Sequence, residues 1–229
     1  MSGDSAVLGI DGCPGGWVGA LVLGSTLTWY AGSLATLLSL PAAVVAIDIP
    51  LGLPSDGTRR ACDLHAAARL GPARSSVFPA PPRAVLDAVN HAEASERSRG
   101  VGSVGVSIQT WNIVPKIREA SLLPDDRLLE VHPELSFRAL ATSAAGLPSS
   151  VDGRFLSKKT AAGRNQRLAA LRTWLPGLEL PSPRPGRAAV DDCLDALVCA
   201  WTGQRWLRGD AEVLGGELDA TGQVMRIVV

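Results

Sequence analysis

The fold is decided by residues 6–23, which read Ala-Val-Leu-Gly-Ile-Asp-Gly-Cys-Pro-Gly-Gly-Trp-Val-Gly-Ala-Leu-Val-Leu. An apolar run that begins at Ala6 ends in Asp11, and a second apolar run begins at Trp17 after a turn rich in glycine. This pattern predicts a β-hairpin. The first strand is apolar on both faces, which is typical of a strand in the middle of a sheet covered by helices. Asp11 would be poorly solvated there unless a cation met it, so we expect its carboxylate to have a function.

The same pattern returns later in the chain. An apolar run over residues 42–47 ends in Asp48 and is followed by a Pro/Gly loop. Between the two runs we predict a third antiparallel strand over 26–31 and a short helix over 34–40. A strand-helix-strand order predicts a parallel crossover, and ligands collect at the carboxyl ends of such strands. We therefore expect Asp11 and Asp48 at one edge of the sheet.

A further strand is predicted over residues 127–131, and it brings Glu130 and Glu134 to a strand end. The fold class is thus α/β, with three antiparallel strands followed by parallel strands and flanked by helices. A terminal hairpin is predicted over 217–229.

The composition limits the function. The chain has 229 residues, 46% of them hydrophobic, and a formal net charge of zero. Because no long polar linker divides it, we expect one domain over 1–229 with a helical insertion around 55–125. Zero net charge implies no general attraction to nucleic acid or membrane, so such binding must rest on local patches. The lack of a long apolar stretch or a basic leader predicts a cytoplasmic protein without a membrane partner, and homo-oligomerisation stays open.

The cysteines and histidines do not favour zinc, because they are dispersed and include no Cys-x-x-Cys pair. Cys193 and Cys199 lie in an apolar helical pattern and are predicted core residues. Cys13 lies in the glycine loop, where a nucleophilic role is an alternative, although no histidine is near it in sequence.

Two more acids lie on the last long predicted helix, over residues 188–207. Asp192 and Asp195 are three residues apart, so both side chains lie on one face. Two acids this close repel each other unless a cation lies between them. The alternative is that they are first-turn acids that interact with the helix dipole.

Carboxylates converging from several strand ends and one helix suit Mg²⁺ or Mn²⁺. Two such ions about 3.5–4 Å apart would prepare an attacking water and stabilise the leaving oxygen of a phosphodiester. The acids therefore predict metal-dependent phosphoryl chemistry.

A basic cluster lies nearby in sequence. Between Arg154 and Arg172 there are six basic residues and no acid. Such a cluster predicts either a local anion site or a solvated helix face.

The order of these features resembles the ribonuclease H-like superfamily, in particular its Holliday-junction resolvases. In that group a first-strand aspartate, a middle-strand acid and two aspartates on the last helix hold the catalytic metals. By position the resemblance assigns these roles to Asp11, Asp48, Asp192 and Asp195. Asp48 stands where the resolvases usually have glutamate, which shortens the reach by a methylene. Glu130 is then expected to supply a ligand or to support the site.

A closer resemblance is to the family of domain of unknown function 429, described as predicted ribonuclease H-like nucleases. It is carried by GIDGCPGGW at 9–17, IDIPLG at 47–52, SVFP at 76–79, QTW at 109–111, EVHPE at 130–134 and KKTxxGR at 158–164. The resemblance implies a ribonuclease H-like mixed sheet and a predicted nuclease activity. Within these motifs, the residues that we expect to bind substrate are Lys158, Lys159, Arg164, Gln109 and Trp111.

The favoured hypothesis is a Mg²⁺- or Mn²⁺-dependent nuclease or phosphodiesterase that acts on nucleic acid or a nucleotide. Its catalytic residues would be Asp11, Asp48, Glu130, Asp192 and Asp195. Since each phosphate contact normally needs a basic residue, zero net charge favours a short or compact substrate.

Two alternatives remain open. An actin-like-fold ATPase or phosphotransferase begins with the same hairpin, but the usual two-domain length and a Gly-Lys-Ser/Thr phosphate loop are missing. A non-catalytic module could bind a small ligand or nucleic acid, with Phe78, Trp111 and His132 around a pocket. His132 beside two glutamates is either a general base or a structural hydrogen-bonding residue.

Overall fold

The computed structural model describes residues 5–143 and 155–229. The strands in this part of the chain are β1 Val7–Cys13, β2 Gly16–Leu23, β3 Thr26–Gly32, β4 Val44–Ile47, β5 Leu128–Glu130, β6 Val213–Leu218 and β7 Val224–Val228. The α-helices are α1 Leu34–Leu38, α2 Ala61–Leu70, α3 His91–Gly100, α4 Ile108–Ser121, α5 Pro133–Ser143, α6 Ala161–Trp174 and α7 Val190–Arg208, and short 3₁₀ helices lie at Gly71–Ser76 and Arg83–Asp87.

The chain forms two compact units. The first comprises Met1–Asp48, Asp125–Ala211 and Val229, and the second comprises Ile49–Pro124 and Glu212–Val228. Most of the helical insertion predicted around 55–125 belongs to the second unit. No helix among the described residues has both the length and the apolar character needed to cross a lipid bilayer.

The first unit is built on a five-stranded mixed sheet of order β3-β2-β1-β4-β5. Strands β1, β2 and β3 are antiparallel neighbours, whereas β4 runs parallel to both β1 and β5. The register pairs Ile10 with Ile47 and Ile47 with Glu130. The α/β mixed-sheet prediction is therefore confirmed, and the carboxyl ends of β1, β4 and β5 lie side by side.

Helix α7 covers the centre of this sheet, where it packs on β1, β2 and β4. Val7, Leu8 and Ile10 are fully buried, as the apolar run predicted for a central strand. Gly9 is the point of closest approach, since a Cβ there would lie 1.9 Å from the Ala196 carbonyl oxygen and 2.3 Å from the Ala200 nitrogen. Only a residue without a side chain lets the helix lie this close to the strand.

Helices α5 and α6 pack on the other sides of α7. Thr202 Oγ1 donates to Ser136 Oγ at 2.8 Å, and Trp174 Nε1 donates to Gln204 Oε1 at 2.7 Å. Eleven consecutive residues of α7, from Cys193 to Gly203, are buried. A helix that is buried on every side has a mostly apolar sequence around its whole circumference. Cys193 and Cys199 are buried in this helix, as the sequence predicted.

The second unit contains the β6–β7 hairpin, against which α2 packs. Asp219 at the hairpin turn accepts hydrogen bonds from the Leu53 nitrogen at 2.9 Å and from Arg83 Nη2 at 2.5 Å. The hairpin begins at Val213, four residues before the predicted start, because its first strand is mostly exposed and therefore lacks a strong apolar pattern.

We expect Gly9→Ala to destabilise the first unit by about 1–3 kcal/mol, because the added methyl group forces α7 away from β1. Urea unfolding monitored by circular dichroism measures this change. The matched control is Gly32→Ala on β3, where the nearest atom to a new Cβ lies at 3.4 Å. That variant should change stability by less than about 1 kcal/mol, and equal losses in the two variants would contradict the packing argument.

Candidate functional site

Three aspartates from three elements meet at the carboxyl ends of the central strands. Asp11 lies near the end of β1, Asp48 directly follows β4, and Asp195 lies in the second turn of α7. Asp11 is 9% exposed and Asp195 is 1% exposed, whereas Asp48 is partly exposed. The Asp48 nitrogen donates to the Ile10 carbonyl at 3.0 Å, which holds the ends of β1 and β4 together.

The three carboxyl groups are close enough to influence one another's pKa. Burial and then the charges of Asp48 and Asp195 raise the pKa of Asp11 well above its ordinary value. Burial is also the main cause for the other two, and it raises the pKa of Asp48 to about 7 and that of Asp195 to about 6. Asp48 contributes to the shift at Asp195, so each pair among the three is close enough to couple. We call these three residues the aspartate cluster.

A lysine supplies positive charge to the aspartate cluster. Lys158 Nζ donates to Asp195 Oδ2 at 2.5 Å, and the side chains are 39% and 2% exposed. Burial of the ammonium acts to lower the pKa of Lys158, but Asp195, Asp11 and Asp48 together raise it above its ordinary value. The sequence suggested that a cation must meet these acids, but it assigned Lys158 to substrate phosphate rather than to Asp195.

Arg167 fixes the loop that carries Lys158. Its guanidinium Nη1 donates to the Leu156 carbonyl at 2.7 Å and to the Gly163 carbonyl at 3.2 Å, and its Nη2 donates to Glu134 Oε1 at 2.6 Å. Arg167 is only 1% exposed. The solvated-face interpretation of the basic cluster is therefore wrong for Arg167, because its side chain is buried and is paired with Glu134. Arg154 of that cluster lies outside the described residues.

The start of α6 packs closely against the same loop. Thr160 Oγ1 accepts a hydrogen bond from the Gly163 nitrogen at 3.0 Å and so caps the helix. A Cβ on Gly163 would lie 2.1 Å from the Ser157 carbonyl oxygen. The glycine at position 163 of the KKTxxGR motif is therefore explained by the close approach of the loop backbone, which leaves no room for a side chain.

The other basic residues predicted to bind substrate lie near Lys158. Lys159 is exposed. Arg164 is partly exposed, and its Nη1 donates to the Lys159 carbonyl at 3.0 Å.

Asp192 and Glu130 lie at the border of the aspartate cluster. Asp192 Oδ2 accepts a hydrogen bond from the Ala189 nitrogen at 2.8 Å, which is the first-turn role considered as an alternative for it. Asp192 also contributes to the raised pKa of Asp11, although it is the smallest of the causes. Glu130, 5% exposed at the end of β5, helps to raise the pKa of Asp48.

Glu134, which the sequence placed at a strand end but which was not among the expected catalytic residues, also belongs to the site. It is the acceptor for Arg167, and its charge helps to raise the pKa of both Asp48 and Asp195. The EVHPE motif carries this signal, because Pro133 begins α5 soon after β5 ends at Glu130 and keeps both glutamates near the strand end.

Gln109 and Trp111, also predicted to bind substrate, belong to α4 of the second unit. Gln109 is exposed, and Trp111 lines a cavity of about 500 Å³ together with Val89 and Arg118. Phe78 lies in the second unit and is 43% exposed, whereas His132 lies in the first unit and is partly exposed.

The thiols near the site are poor nucleophiles. Burial raises the pKa of Cys193 to about 12 and that of Cys199 well above its ordinary value. Thiolate is the reactive form, so these cysteines stay inert at neutral pH.

The chemistry of the donors fits a hard divalent cation. Carboxylate oxygens are the ligands that Mg²⁺ and Mn²⁺ prefer, and a cation would relieve the repulsion among the three aspartates. Within residues 5–143 and 155–229, however, no group of three or more His, Cys, Asp or Glu side chains is arranged as a preformed metal site. An ion would therefore have to draw the carboxylates into a new arrangement.

The fold and site define an α/β protein whose mixed sheet is consistent with a ribonuclease H-like fold and whose central strand ends carry buried acids. A family model matches residues 9–220, and the chain belongs to that family, described as Protein of unknown function (DUF429). The resemblance to the family of domain of unknown function 429 is thereby confirmed. Searches of curated proteins and of solved structures gave no match.

The raised pKa values predict that Asp48 destabilises the metal-free protein at neutral pH. A carboxyl group whose pKa is higher in the folded state binds protons preferentially in that state, so its contribution to stability falls as pH rises from about 4 to about 7. With chelator present, Asp48→Asn should stabilise the protein at pH 8 by at least about 1 kcal/mol, and the gain should vanish near pH 4. Urea unfolding across this pH range measures it.

Asp126→Asn is the matched control for this experiment, because Asp126 is an exposed residue of the same unit. Its difference from the wild type should stay within about 0.5 kcal/mol at every pH. An Asp48→Asn protein that is less stable than the wild type at pH 8 would contradict a raised pKa of Asp48 in the folded protein.

Arg167→Met should destabilise the protein by about 2–4 kcal/mol, because it removes three buried or partly buried hydrogen bonds and leaves Glu134 uncompensated near the aspartate cluster. Arg164→Met on the same helix should cost less than about 1 kcal/mol. Thermal and urea unfolding of the two variants test this difference. Similar losses would show that Arg167 does not hold the loop.

Proposed function

We propose that this protein is a divalent-metal-dependent hydrolase of phosphodiester bonds, a nuclease or phosphodiesterase of the ribonuclease H-like superfamily. The observation that carries the proposal is the meeting of Asp11, Asp48 and Asp195 at the carboxyl ends of β1 and β4. Like charges that are buried together cost free energy, and a protein recovers that cost when the charges bind a cation. The order of the sheet and the family motifs give further support.

Asp11, Asp48 and Asp195 would hold Mg²⁺ or Mn²⁺, with Asp192 and Glu130 as neighbouring acids that take part when the carboxylates rearrange. The bound ion would activate water and stabilise the negative charge that develops on the phosphate. Burial of Asp11 and Asp195 keeps these carboxylates away from bulk water, so their charge acts on a cation with little screening. The partly exposed Asp48 is the member of the cluster that solvent reaches.

Lys159 and Arg164 are the residues to which we assign phosphate contacts. Both lie on or beside the loop that brings Lys158 to Asp195, and both have side chains that solvent reaches. So small a group, in a chain with zero net charge, suits a nucleotide or a short nucleic acid better than a long duplex. For Gln109 and Trp111, which belong to the second unit, substrate binding stays a prediction from the sequence.

We also propose the cytoplasm as the location of the protein. The four cysteines are buried, and none of them forms a disulfide in the described residues 5–143 and 155–229, as suits a reducing compartment.

The decisive experiment measures Mn²⁺-stimulated cleavage of single-stranded and double-stranded DNA, RNA, and bis(p-nitrophenyl) phosphate. Asp11→Asn, Asp48→Asn and Asp195→Asn should each lower the rate by at least about 100-fold, because each removes a charge from the cation site.

Asp191→Asn is the matched control, since Asp191 lies on the same helix as Asp195 but is not among the charges that raise the pKa of Asp11, Asp48 or Asp195. Its rate should stay within about twofold of the wild type. Cleavage by Asp11→Asn at the rate of the wild type would overturn the proposal. ATP hydrolysis by the wild type without cleavage of any phosphodiester would also overturn it.

A further inference from the structure

A positively charged group already occupies part of the aspartate cluster. The Lys158 ammonium is in direct contact with Asp195, and its charge lowers the pKa of Asp11 and of Asp48 as well. One cation of the protein itself thus acts on all three aspartates.

We propose that Lys158 takes the place of one of two metal ions, so that the centre binds a single divalent cation, held chiefly by Asp11 and Asp48. This inference rests on the proposed function, because it concerns the cation content of the same site. It replaces the pair of ions expected from the sequence with one ion and one ammonium group.

The contacts of the aspartate cluster agree with this content. Lys158 Nζ lies 2.5 Å from Asp195 Oδ2, so one of the three carboxylates already has a cation beside it. Asp11 and Asp48 remain for one divalent ion. The neighbouring Glu134 is already paired with Arg167 at 2.6 Å. A second divalent ion would have to displace the ammonium from Asp195 or share its carboxylate with it, and the two cations would repel each other.

Lys158 is held in its position from both sides. Before it, the Leu156 nitrogen donates to Gln166 Oε1 at 2.8 Å and the Leu156 carbonyl accepts from Arg167. After it, the Thr160 cap begins α6, and Arg164 contacts the Lys159 carbonyl. A backbone fixed in this way directs the lysine side chain to Asp195 at a lower entropic cost than a free loop would pay.

Lys159 provides an internal comparison. It has the same charge and is the next residue in the chain, but its side chain is exposed, whereas the Lys158 ammonium lies on Asp195. Removing the charge at 158 should therefore change cation binding, and removing it at 159 should not.

The experiment is titration of Mn²⁺ into the chelator-treated full chain, followed by isothermal calorimetry and by electron paramagnetic resonance of free Mn²⁺. The wild type should bind one ion. Lys158→Met should bind a second ion, or should bind the first at least about tenfold more tightly, because a repelling charge is gone. Lys159→Met should match the wild type in both number and affinity. Lys158→Arg keeps the charge and should also bind one ion.

Two ions of similar affinity in the wild type would overturn the inference, as would an unchanged titration in a folded Lys158→Met protein or a wild type that binds no Mn²⁺. If Lys158→Met does not fold, the numbers of ions bound by the wild type and by Lys158→Arg decide the matter. The proposed function fails separately: one bound ion with no cleavage of any phosphodiester substrate leaves the cation content intact and removes the nuclease. Conversely, cleavage by a wild type that binds two ions would support the proposed function and overturn the inference of a single ion.

Discussion

The close packing of α7 on β1 is the constraint on which the rest of the first unit depends. The helix contacts the strand at Gly9, where there is no room for even a methyl group. Because α7 packs this closely on the sheet, its second turn reaches the ends of the central strands, and Asp195 lies beside Asp11 and Asp48. An apolar interaction in the core therefore sets the position of the charged groups at the edge.

That arrangement has an electrostatic cost which the protein offsets with its own cations. Arg167 neutralises Glu134, and the Lys158 ammonium lies on Asp195. Both cations belong to one short stretch that includes the start of α6, and Arg167 also holds the loop in front of Lys158. The fold of this stretch and the charge of the aspartate cluster are thus maintained by the same residues. Burial, together with the charges of neighbouring acids, still raises the pKa values of Asp11 and Asp48.

Much of this was predictable from the sequence, for physical reasons that differ from element to element. The runs before Asp11 and Asp48 are apolar on both faces because their strands are buried on both faces, so their place in the sheet was correctly inferred. Helix α1 ends at Leu38 rather than at residue 40, since Ser39 already provides its C-cap. The start of the β6–β7 hairpin was missed because exposed strands carry little pattern.

The partners of the charged residues were beyond sequence reasoning. Lys158 and Asp195 are far apart along the chain, and nothing in the sequence of either segment predicts which acid the lysine side chain contacts. The same holds for Arg167 and Glu134, whose pairing depends on how α5 and α6 pack. Periodicity reports burial, whereas the pairing of charges is a property of the tertiary structure alone.

The contrast between two adjacent lysines has a consequence for the chemical reactivity of this protein. Acylating reagents attack the neutral amine, and Asp195 with its neighbours favours the protonated form of Lys158. Lys159 is exposed, so a reagent in the solvent reaches its side chain. Covalent labelling with such a reagent would therefore distinguish two lysines that are adjacent in the chain.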